Sequence, residues 1–273
     1  MPYVKTKDST DLYVKDWGSG RPVILLHGWP LTADSWDDQA LALANAGHRV
    51  IFYDRRGFGR SGQPWSGYDY DTFADDLAAV IEATGAEDAT LIGFSMGGGE
   101  VARYLSRHNG AGIAQAGLIS SVVPYLLKDD SNPDGVDGSV FDQMKDGIRT
   151  DRPNFLATFA QQFYGVGWIS SPVSQEVVDD FSRQALMAGL KGTLDCVDAF
   201  GRTDFRPDLA AFRVPTLIVH GTSDSTVPID PSGRAAAAGI PHAQFIEYSG
   251  APHGLNVTEK NRLTQDILDF VKS

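Results

Sequence analysis

The pentapeptide Gly93-Phe94-Ser95-Met96-Gly97 could present a serine hydroxyl as a nucleophile. It follows the apolar run 89–92, which predicts a buried strand, and it precedes residues 98–105, whose apolar side chains have helical spacing. A serine on so tight a strand-to-helix turn is held in a strained backbone conformation, and small neighbours let the turn close. The pattern predicts that Ser95 is a nucleophile and that Met96 N–H points at the reacting carbonyl.

A serine nucleophile needs a base, and the base needs an acid that holds its tautomer. Of the six histidines, His253 is the one that lies in a loop just past a strand end, before the last helix. His220 is the second choice, because it ends a strand and we expect its side chain to lie within the sheet edge. Asp224 follows the preceding strand and is the predicted acid. Ser95, Asp224 and His253 each follow their own strand, which predicts a catalytic triad.

The negative charge that forms on an attacked carbonyl oxygen needs a second N–H donor besides that of Met96. The segment His27-Gly28-Trp29-Pro30 follows the predicted strand 23–26 and supplies this donor from Trp29. His27 is interpreted as a structural residue that holds the loop. The sequence therefore predicts an oxyanion hole formed by the backbone N–H groups of Trp29 and Met96.

The glycine-rich stretches do not indicate a cofactor. Residues 57–62 satisfy the dinucleotide pattern G-x-G-x-x-G, but residues 54–56 separate them from their strand, and residues 63–65 stand where a helix should begin. No lysine follows residues 93–99, so they do not form a phosphate loop. The histidines show no pair at metal-ligand spacing. We predict neither a cofactor nor a metal site.

The composition excludes several classes of protein. The chain has 273 residues and a single cysteine, Cys196, so a disulfide within the chain is impossible. A formal net charge of −12 without a basic stripe argues against nucleic acids and anionic membranes as partners. No apolar run approaches the length of a membrane span, and the first residues lack an apolar leader. We therefore expect a cytoplasmic protein.

The order of the predicted elements favours an α/β fold. Short strands come first, and then strands and helices alternate with continuous apolar strands, which indicates a parallel sheet with helices on both faces. The alternation breaks after Pro124 and resumes at Thr216. We predict a single domain whose core is formed by residues 1–123 and 209–273, and whose residues 124–208 form a helical lid. Such a lid belongs over the carboxyl edge of the sheet, where ligands bind in open α/β sheets.

Five stretches spread over the chain carry a resemblance to a known family: 54–61, 93–104, 163–165, 203–206 and 251–254. Together they resemble the cofactor-free haloperoxidases, which are perhydrolases similar to bacterial aryl esterases and to some γ-lactamases. The resemblance covers essentially the whole chain. It implies the α/β-hydrolase fold, with a mostly parallel eight-stranded sheet, for which Ser95, Asp224, His253 is the expected chain order.

The resemblance implies hydrolysis of small-acyl aryl or alkyl esters through an acyl-enzyme, with no haem, vanadium or other metal. It also implies that hydrogen peroxide and a short carboxylic acid or ester form a peracid, which oxidises halide. A γ-lactamase or amidase on the same triad, or a ligand-binding module without turnover, are the alternatives. Haloalkane dehalogenation needs a carboxylate nucleophile, which Ser95 excludes. Association as a trimer or hexamer is a further implication.

Motif positions and the resemblance together predict six substrate contacts, near the elbow, in the lid and beside the acid: Phe94, Val122, Phe159, Phe163, Thr226 and Ile229. Phe159 and Phe163 share a helical face with Phe155, and this face is either packing within the lid or a pocket wall. The resemblance favours Phe159 and Phe163 as substrate contacts. We expect acetate to butyrate esters to be preferred over long acyl chains.

Pro30 bears on the choice between water and peroxide as the second substrate. A residue before proline is held in extended conformations, so Pro30 restricts Trp29 and fixes the direction of its carbonyl. In the family that the chain resembles, members with perhydrolase character carry proline here, and esterase-leaning members can carry leucine. We hypothesise that the Trp29 carbonyl accepts a hydrogen bond from incoming hydrogen peroxide. The alternative is that Pro30 only stiffens the loop.

Overall fold

An eight-stranded sheet runs through the computed structural model, which describes residues 2–167 and 171–272. The strands are β1 (Tyr3–Lys5), β2 (Asp11–Gly18), β3 (Pro22–Leu26), β4 (Arg49–Tyr53), β5 (Ala89–Phe94), β6 (Ile113–Ile119), β7 (Thr216–Gly221) and β8 (Gln244–Tyr248). Their order across the sheet is β1-β2-β4-β3-β5-β6-β7-β8. β2 pairs antiparallel with β1 and β4, and the other neighbours pair in parallel. The predicted mostly parallel sheet is confirmed.

The helices that the structure describes follow the predicted alternation with the strands. They are α1 (Asp37–Asn45), α2 (Tyr70–Thr84), α3 (Met96–Arg107), α4 (Gly138–Tyr164), α5 (Gln175–Leu186), α6 (Leu190–Arg202), α7 (Ala235–Gly239), α8 (Leu255–Thr258) and α9 (Lys260–Val271). The ends of α2 show how local sequence sets them. The Asp69 side chain accepts a hydrogen bond from Thr72 N–H, and Gly85 ends the helix with a φ of 61°.

The central strands are buried on both faces, which is why they consist of continuous apolar runs. Every residue of β5 and of β7 is buried, as expected for parallel strands covered by helices on both sides. The polar loops therefore collect at the strand ends. At the carboxyl ends of β3, β5, β7 and β8, the chain continues into the segments that carry Trp29, Ser95, Asp224 and His253.

Helices α4, α5 and α6 occupy the interval between β6 and β7 where the alternation breaks. α4 is kinked at Asp151, just before Pro153, which has no N–H for the helical ladder. α4 packs against both α5 and α6. The assignment of residues 124–208 as a lid stays a prediction, and residues 168–170 of that interval lie outside the described residues. None of the helices in residues 2–167 and 171–272 is long and apolar enough to cross a membrane.

Candidate active site

Ser95 lies on a strained turn between β5 and α3. Its φ of 54° and ψ of −119° place a non-glycine residue at positive φ, where Cβ contacts are unfavourable. The flanking glycines are required by close backbone contacts. A Cβ on Gly93 would lie 2.3 Å from Gly97 O, and one on Gly97 would lie 2.4 Å from Leu26 O. The turn holds the Ser95 hydroxyl at the carboxyl edge of the sheet.

The side chains of Ser95, His253 and Asp224 form one hydrogen-bonded chain. His253 Nε2 lies 2.9 Å from Ser95 Oγ, and His253 Nδ1 lies 2.6 Å from Asp224 Oδ2. A carboxylate can only accept, so His253 Nδ1–H is the donor to Asp224, and Nε2 accepts from the Ser95 hydroxyl. All three side chains are buried. The structure thus brings together the three residues that the sequence selected as nucleophile, base and acid.

The carboxylate of Asp224 is held ionised by its surroundings. Its burial alone would raise the pKa of this carboxyl, but the neighbouring imidazoles of His253 and His220 outweigh burial and lower the pKa below its ordinary value. The other oxygen, Oδ1, accepts hydrogen bonds from Thr226 N–H at 3.0 Å and Val227 N–H at 2.8 Å. An ionised and fully hydrogen-bonded Asp224 can fix the His253 tautomer and stabilise an imidazolium.

Two aromatic rings enclose the imidazole of His253. The Phe94 ring lies 5.2 Å from it between centroids, tilted by 34°, and the Phe163 ring lies 4.8 Å away and nearly perpendicular. Both phenylalanines are fully buried. The backbone adds a link, because Gly254 N–H donates to Phe163 O at 2.9 Å. The carboxyl end of α4 is therefore fixed to the loop that carries His253.

The loop after β3 is held by its own side chains and by α6. The peptide bond between Trp29 and Pro30 is cis. The indole N–H of Trp29 donates to Thr193 O in α6 at 3.1 Å. Among the hydrogen bonds of residues 2–167 and 171–272, none is donated by the backbone N–H of Trp29 or of Met96. Met96 directly follows Ser95, and a Cβ on Gly28, next to Trp29, would lie 3.0 Å from Ser95 Cβ, so both residues lie close to the serine.

A buried ion pair under this loop was not identified from the sequence. Arg55 and Glu100 are both almost completely buried and pair through the Arg55 Nε atom at 2.6 Å. Arg55 also donates to the His27 carbonyl at 2.8 Å, and Arg55 N–H donates to His27 Nε2 at 2.9 Å. His27 therefore has the structural role predicted for it. The only sequence signal was that Arg55 and Glu100 lie within two of the stretches that carry the resemblance.

A cavity of about 310 Å³ opens beside Ser95 and has mainly apolar walls. Of the six predicted substrate contacts, Val122, Phe159 and Thr226 line it. The cavity lining found in the described part of the chain does not include Phe94, Phe163 or Ile229. The first two contact His253 instead, and Ile229 is buried beside the loop of Asp224. Further lining residues that the sequence did not indicate come mostly from the region of α4 and α6: Val136, Val140, Phe141, Met144 and Phe200.

The remaining candidates from the sequence lie away from Ser95 or have other partners. Asp204, an acidic residue in the resemblance stretch 203–206, pairs with Arg206 near the surface. In the G-x-G-x-x-G stretch, a Cβ on Gly59 would lie 2.3 Å from the Asp54 carboxylate, so this glycine serves side-chain packing. Cys196 is free and buried, and burial raises the pKa of its thiol. Residues 2–167 and 171–272 contain no cluster of histidine, cysteine or acidic side chains that could hold a metal ion.

The sheet, the strained serine turn and the hydrogen-bonded triad define a class of protein, and comparison with known proteins identifies it. Residues 21–260 match the family model of the alpha/beta hydrolase fold. The chain therefore belongs to the alpha/beta hydrolase family and is a hydrolase.

Three similar proteins show which members of this family the chain resembles. The chain is 44% identical over 273 residues to the non-heme chloroperoxidase CPO-A1 of Kitasatospora aureofaciens, covering 99% of each chain. It is 44% identical over 276 residues to the bifunctional esterase/perhydrolase DCH of Acinetobacter calcoaceticus, covering 100% of each chain. The crystal structure of bromoperoxidase from Bacillus anthracis has a TM-score of 0.96 at 44% identity, with 99% of each chain covered. The resemblance to cofactor-free haloperoxidases is thereby confirmed.

Proposed function

We propose that the protein is a serine carboxylic-ester hydrolase that acts on small-acyl aryl and alkyl esters and also catalyses perhydrolysis. The observation that carries this proposal is the chain of hydrogen bonds from Ser95 Oγ through His253 to Asp224, at 2.9 and 2.6 Å. The names of the relatives, which include an esterase/perhydrolase and a non-heme chloroperoxidase, support the same chemistry.

Acylation follows from the positions of these atoms. Ser95 Oγ attacks the ester carbonyl while His253 Nε2 takes its proton, and Asp224 stabilises the resulting imidazolium through Nδ1–H. The tetrahedral oxyanion accepts hydrogen bonds from the backbone N–H groups of Trp29 and Met96, each worth roughly 3 kcal/mol in the transition state. The C–O bond to the alcohol then breaks, and His253 gives its proton to the departing oxygen. An acyl-enzyme on Ser95 remains.

Deacylation uses the same base with a new nucleophile. His253 Nε2 takes a proton from water, the hydroxide oxygen attacks the acyl carbon, and the bond to Ser95 Oγ breaks with return of the proton. If hydrogen peroxide replaces water, the same steps release a peracid instead of a carboxylic acid. A short carboxylic acid can replace the ester as the acyl donor. The peracid then transfers oxygen to halide without a metal.

We propose that peroxide is selected at the loop of Trp29 and Pro30. Pro30 restricts the backbone of Trp29, and the Trp29 carbonyl then accepts a hydrogen bond from the attacking peroxide. The loop is well anchored for this role, because Arg55 holds the carbonyl of His27 and Thr193 holds the Trp29 indole. Peroxide thus gains one hydrogen bond that favours it over water.

We also propose that residues 124–208 form a lid and select the acyl group. Phe141, Phe155 and Phe159 of α4 and Phe200 of α6 line the cavity beside Ser95. Rings at these positions bound the space that is left for the acyl chain, with Val122 and Thr226 on the core side. A cytoplasmic location and assembly as a trimer or hexamer remain predictions. A γ-lactamase or amidase activity would use the same triad and is the alternative function.

The test of the proposed function is hydrolysis of 4-nitrophenyl esters from acetate to decanoate by the wild-type chain and by Ser95→Ala. We expect the highest kcat/KM between acetate and butyrate, and nearly complete loss of turnover in the variant without loss of folding. Wild-type kcat in Ser95→Ala would contradict the assignment of the nucleophile. A preference for decanoate would contradict the proposed acyl specificity while leaving the triad in place.

A further inference from the structure

A second histidine contacts the carboxylate of Asp224. His220 lies near the end of β7 and is fully buried. Its Nε2 atom lies 3.3 Å from Asp224 Oδ2, the same oxygen that receives His253 Nδ1 at 2.6 Å. His220 Nε2 also lies 2.9 Å from Val227 O. Asp224 Oδ2 is thus hydrogen-bonded to one imidazole and in close contact with a second.

The surroundings of His220 fix its tautomer. Both groups that face Nε2, a carbonyl and a carboxylate, can only accept, so Nε2 carries the proton. Nδ1 is buried and has no hydrogen-bond partner among the described residues. A proton there would be a buried donor without an acceptor, which is costly. Gly233 packs close to this side of the ring, since a Cβ at that position would lie 2.8 Å from Nδ1.

The donor at Nε2 completes a closed set of hydrogen bonds around Asp224. Thr226 N–H and Val227 N–H occupy Oδ1, and the carbonyl of the same Val227 accepts from His220. His220 therefore ties the turn of residues 224–227 to the end of β7. With Oδ1 fixed by the backbone, the remaining freedom of the carboxylate is rotation that moves Oδ2. The His220 ring, whose Nε2 lies 3.3 Å from Oδ2, stands in the way of that movement.

We propose that His220 is a positioning residue of the triad, a neutral Nε2–H donor that aims Asp224 Oδ2 at His253 Nδ1. This role rests on the proposed function, since it acts through Asp224 and His253. A purely structural role, in which His220 only holds the Val227 carbonyl, would affect stability alone. Of the two roles, only the positioning role predicts a lower kcat when the donor is removed.

The first test compares His220→Phe with His220→Gln in ester hydrolysis. Phenylalanine keeps the ring but removes the donor, whereas the glutamine amide can place an N–H close to the position of Nε2. We expect His220→Phe to lower kcat by about 10-fold, the effect of losing one hydrogen bond to a charged group, with KM unchanged. His220→Gln should recover most of this loss. Val219→Ala, a buried neighbour in β7 that is not part of the site, is the control for reduced stability.

The second test determines the tautomer of His220 in the wild-type protein. In wild-type protein labelled with ¹⁵N-histidine, the His220 ring should show the Nε2–H tautomer, with its signals assigned from their absence in His220→Gln. The Nδ1–H···Asp224 proton of His253 should resonate far downfield, and it should shift more in His220→Phe than in His220→Gln. An Nδ1–H tautomer of His220, or a kcat of His220→Phe no lower than that of Val219→Ala, would overturn the proposal. Wild-type protein that hydrolyses no ester would instead overturn the proposed function, whatever the tautomer.

Discussion

The carboxyl edge of the sheet and helices α4–α6 hold their residues by different forces. At the sheet edge, the key groups are fixed by directed hydrogen bonds, such as those of Asp224 with His253 and with the backbone of Thr226 and Val227. In the helices, the cavity walls are aromatic rings held mainly by contact, as in the stacked pair Phe155 and Phe159. Hydrogen bonds fix distance and direction, whereas apolar contacts tolerate changes of shape. We therefore expect the edge to set the rate and the helices to set the substrate.

The largest effect should follow from changing the acid at the sheet edge. Asp224→Asn keeps the shape but presents an N–H or a neutral oxygen to His253, which favours the wrong tautomer. We expect kcat to fall about 10⁴-fold for acetate and butyrate esters alike. Asp204→Asn is the matched control, since Asp204 pairs with Arg206 near the surface, and it should keep wild-type kcat. A large loss of kcat in the control, with little loss in Asp224→Asn, would identify Asp204 instead of Asp224 as the acid.

The next effect concerns the buried ion pair that supports the same edge. Glu100→Gln leaves the guanidinium of Arg55 buried without a countercharge, which typically costs about 3–5 kcal/mol in the free energy of unfolding. Urea unfolding followed by circular dichroism measures this. Asp230→Asn, which breaks an exposed pair with Arg234, should change stability little. Equal stability of both variants would show that the buried pair does not anchor the loop of His27.

A smaller effect should distinguish the sheet edge from helices α4–α6 at the place where they meet, between His253 and Phe163. Phe163 belongs to α4 but touches His253, whereas Phe159, one turn earlier, lines the cavity. Phe163→Leu should lower kcat by a similar factor, on the order of 10-fold, for every ester, since it loosens the base. Phe159→Leu should instead change the ratio of kcat/KM between acetate and hexanoate esters. If Phe163→Leu altered the chain-length preference and left the kcat for acetate unchanged, Phe163 would be a substrate contact, as first predicted.

The smallest effect is expected for Pro30, in the loop after β3. Pro30→Leu should lower the ratio of peracid formation to ester hydrolysis and leave hydrolysis of the same ester nearly unchanged, because only the carbonyl of Trp29 loses its direction. Peracid is measured by oxidation of bromide, and hydrolysis by release of acid, on the same ester. An unchanged ratio would mean that Pro30 only stiffens the loop.

The difference between the regions also explains what the sequence could predict. The fold and the triad positions followed from patterns with a strict physical cause: apolar strands, glycines around Ser95, and polar residues directly after strand ends. Contacts such as Phe163 on His253 could not be derived, because helical spacing gives the face of a helix but not what packs on it. The contact of His220 with Asp224 was missed for a related reason. Its position at a strand end was clear, but only the fold of the turn 224–227 brings it to Asp224.

The position of the single thiol of the chain affects how well the protein resists oxidation. Peroxide and peracid attack the thiolate form of cysteine, and Cys196 is fully buried with a raised pKa, so it offers neither access nor thiolate. The sulfur atoms at risk are therefore thioethers. Met96 is fully buried, whereas Met144 lines the cavity and Met187 is exposed. During prolonged exposure to peroxide, we expect methionine oxidation to begin at Met144 and Met187. The cavity wall should therefore be oxidised before the core.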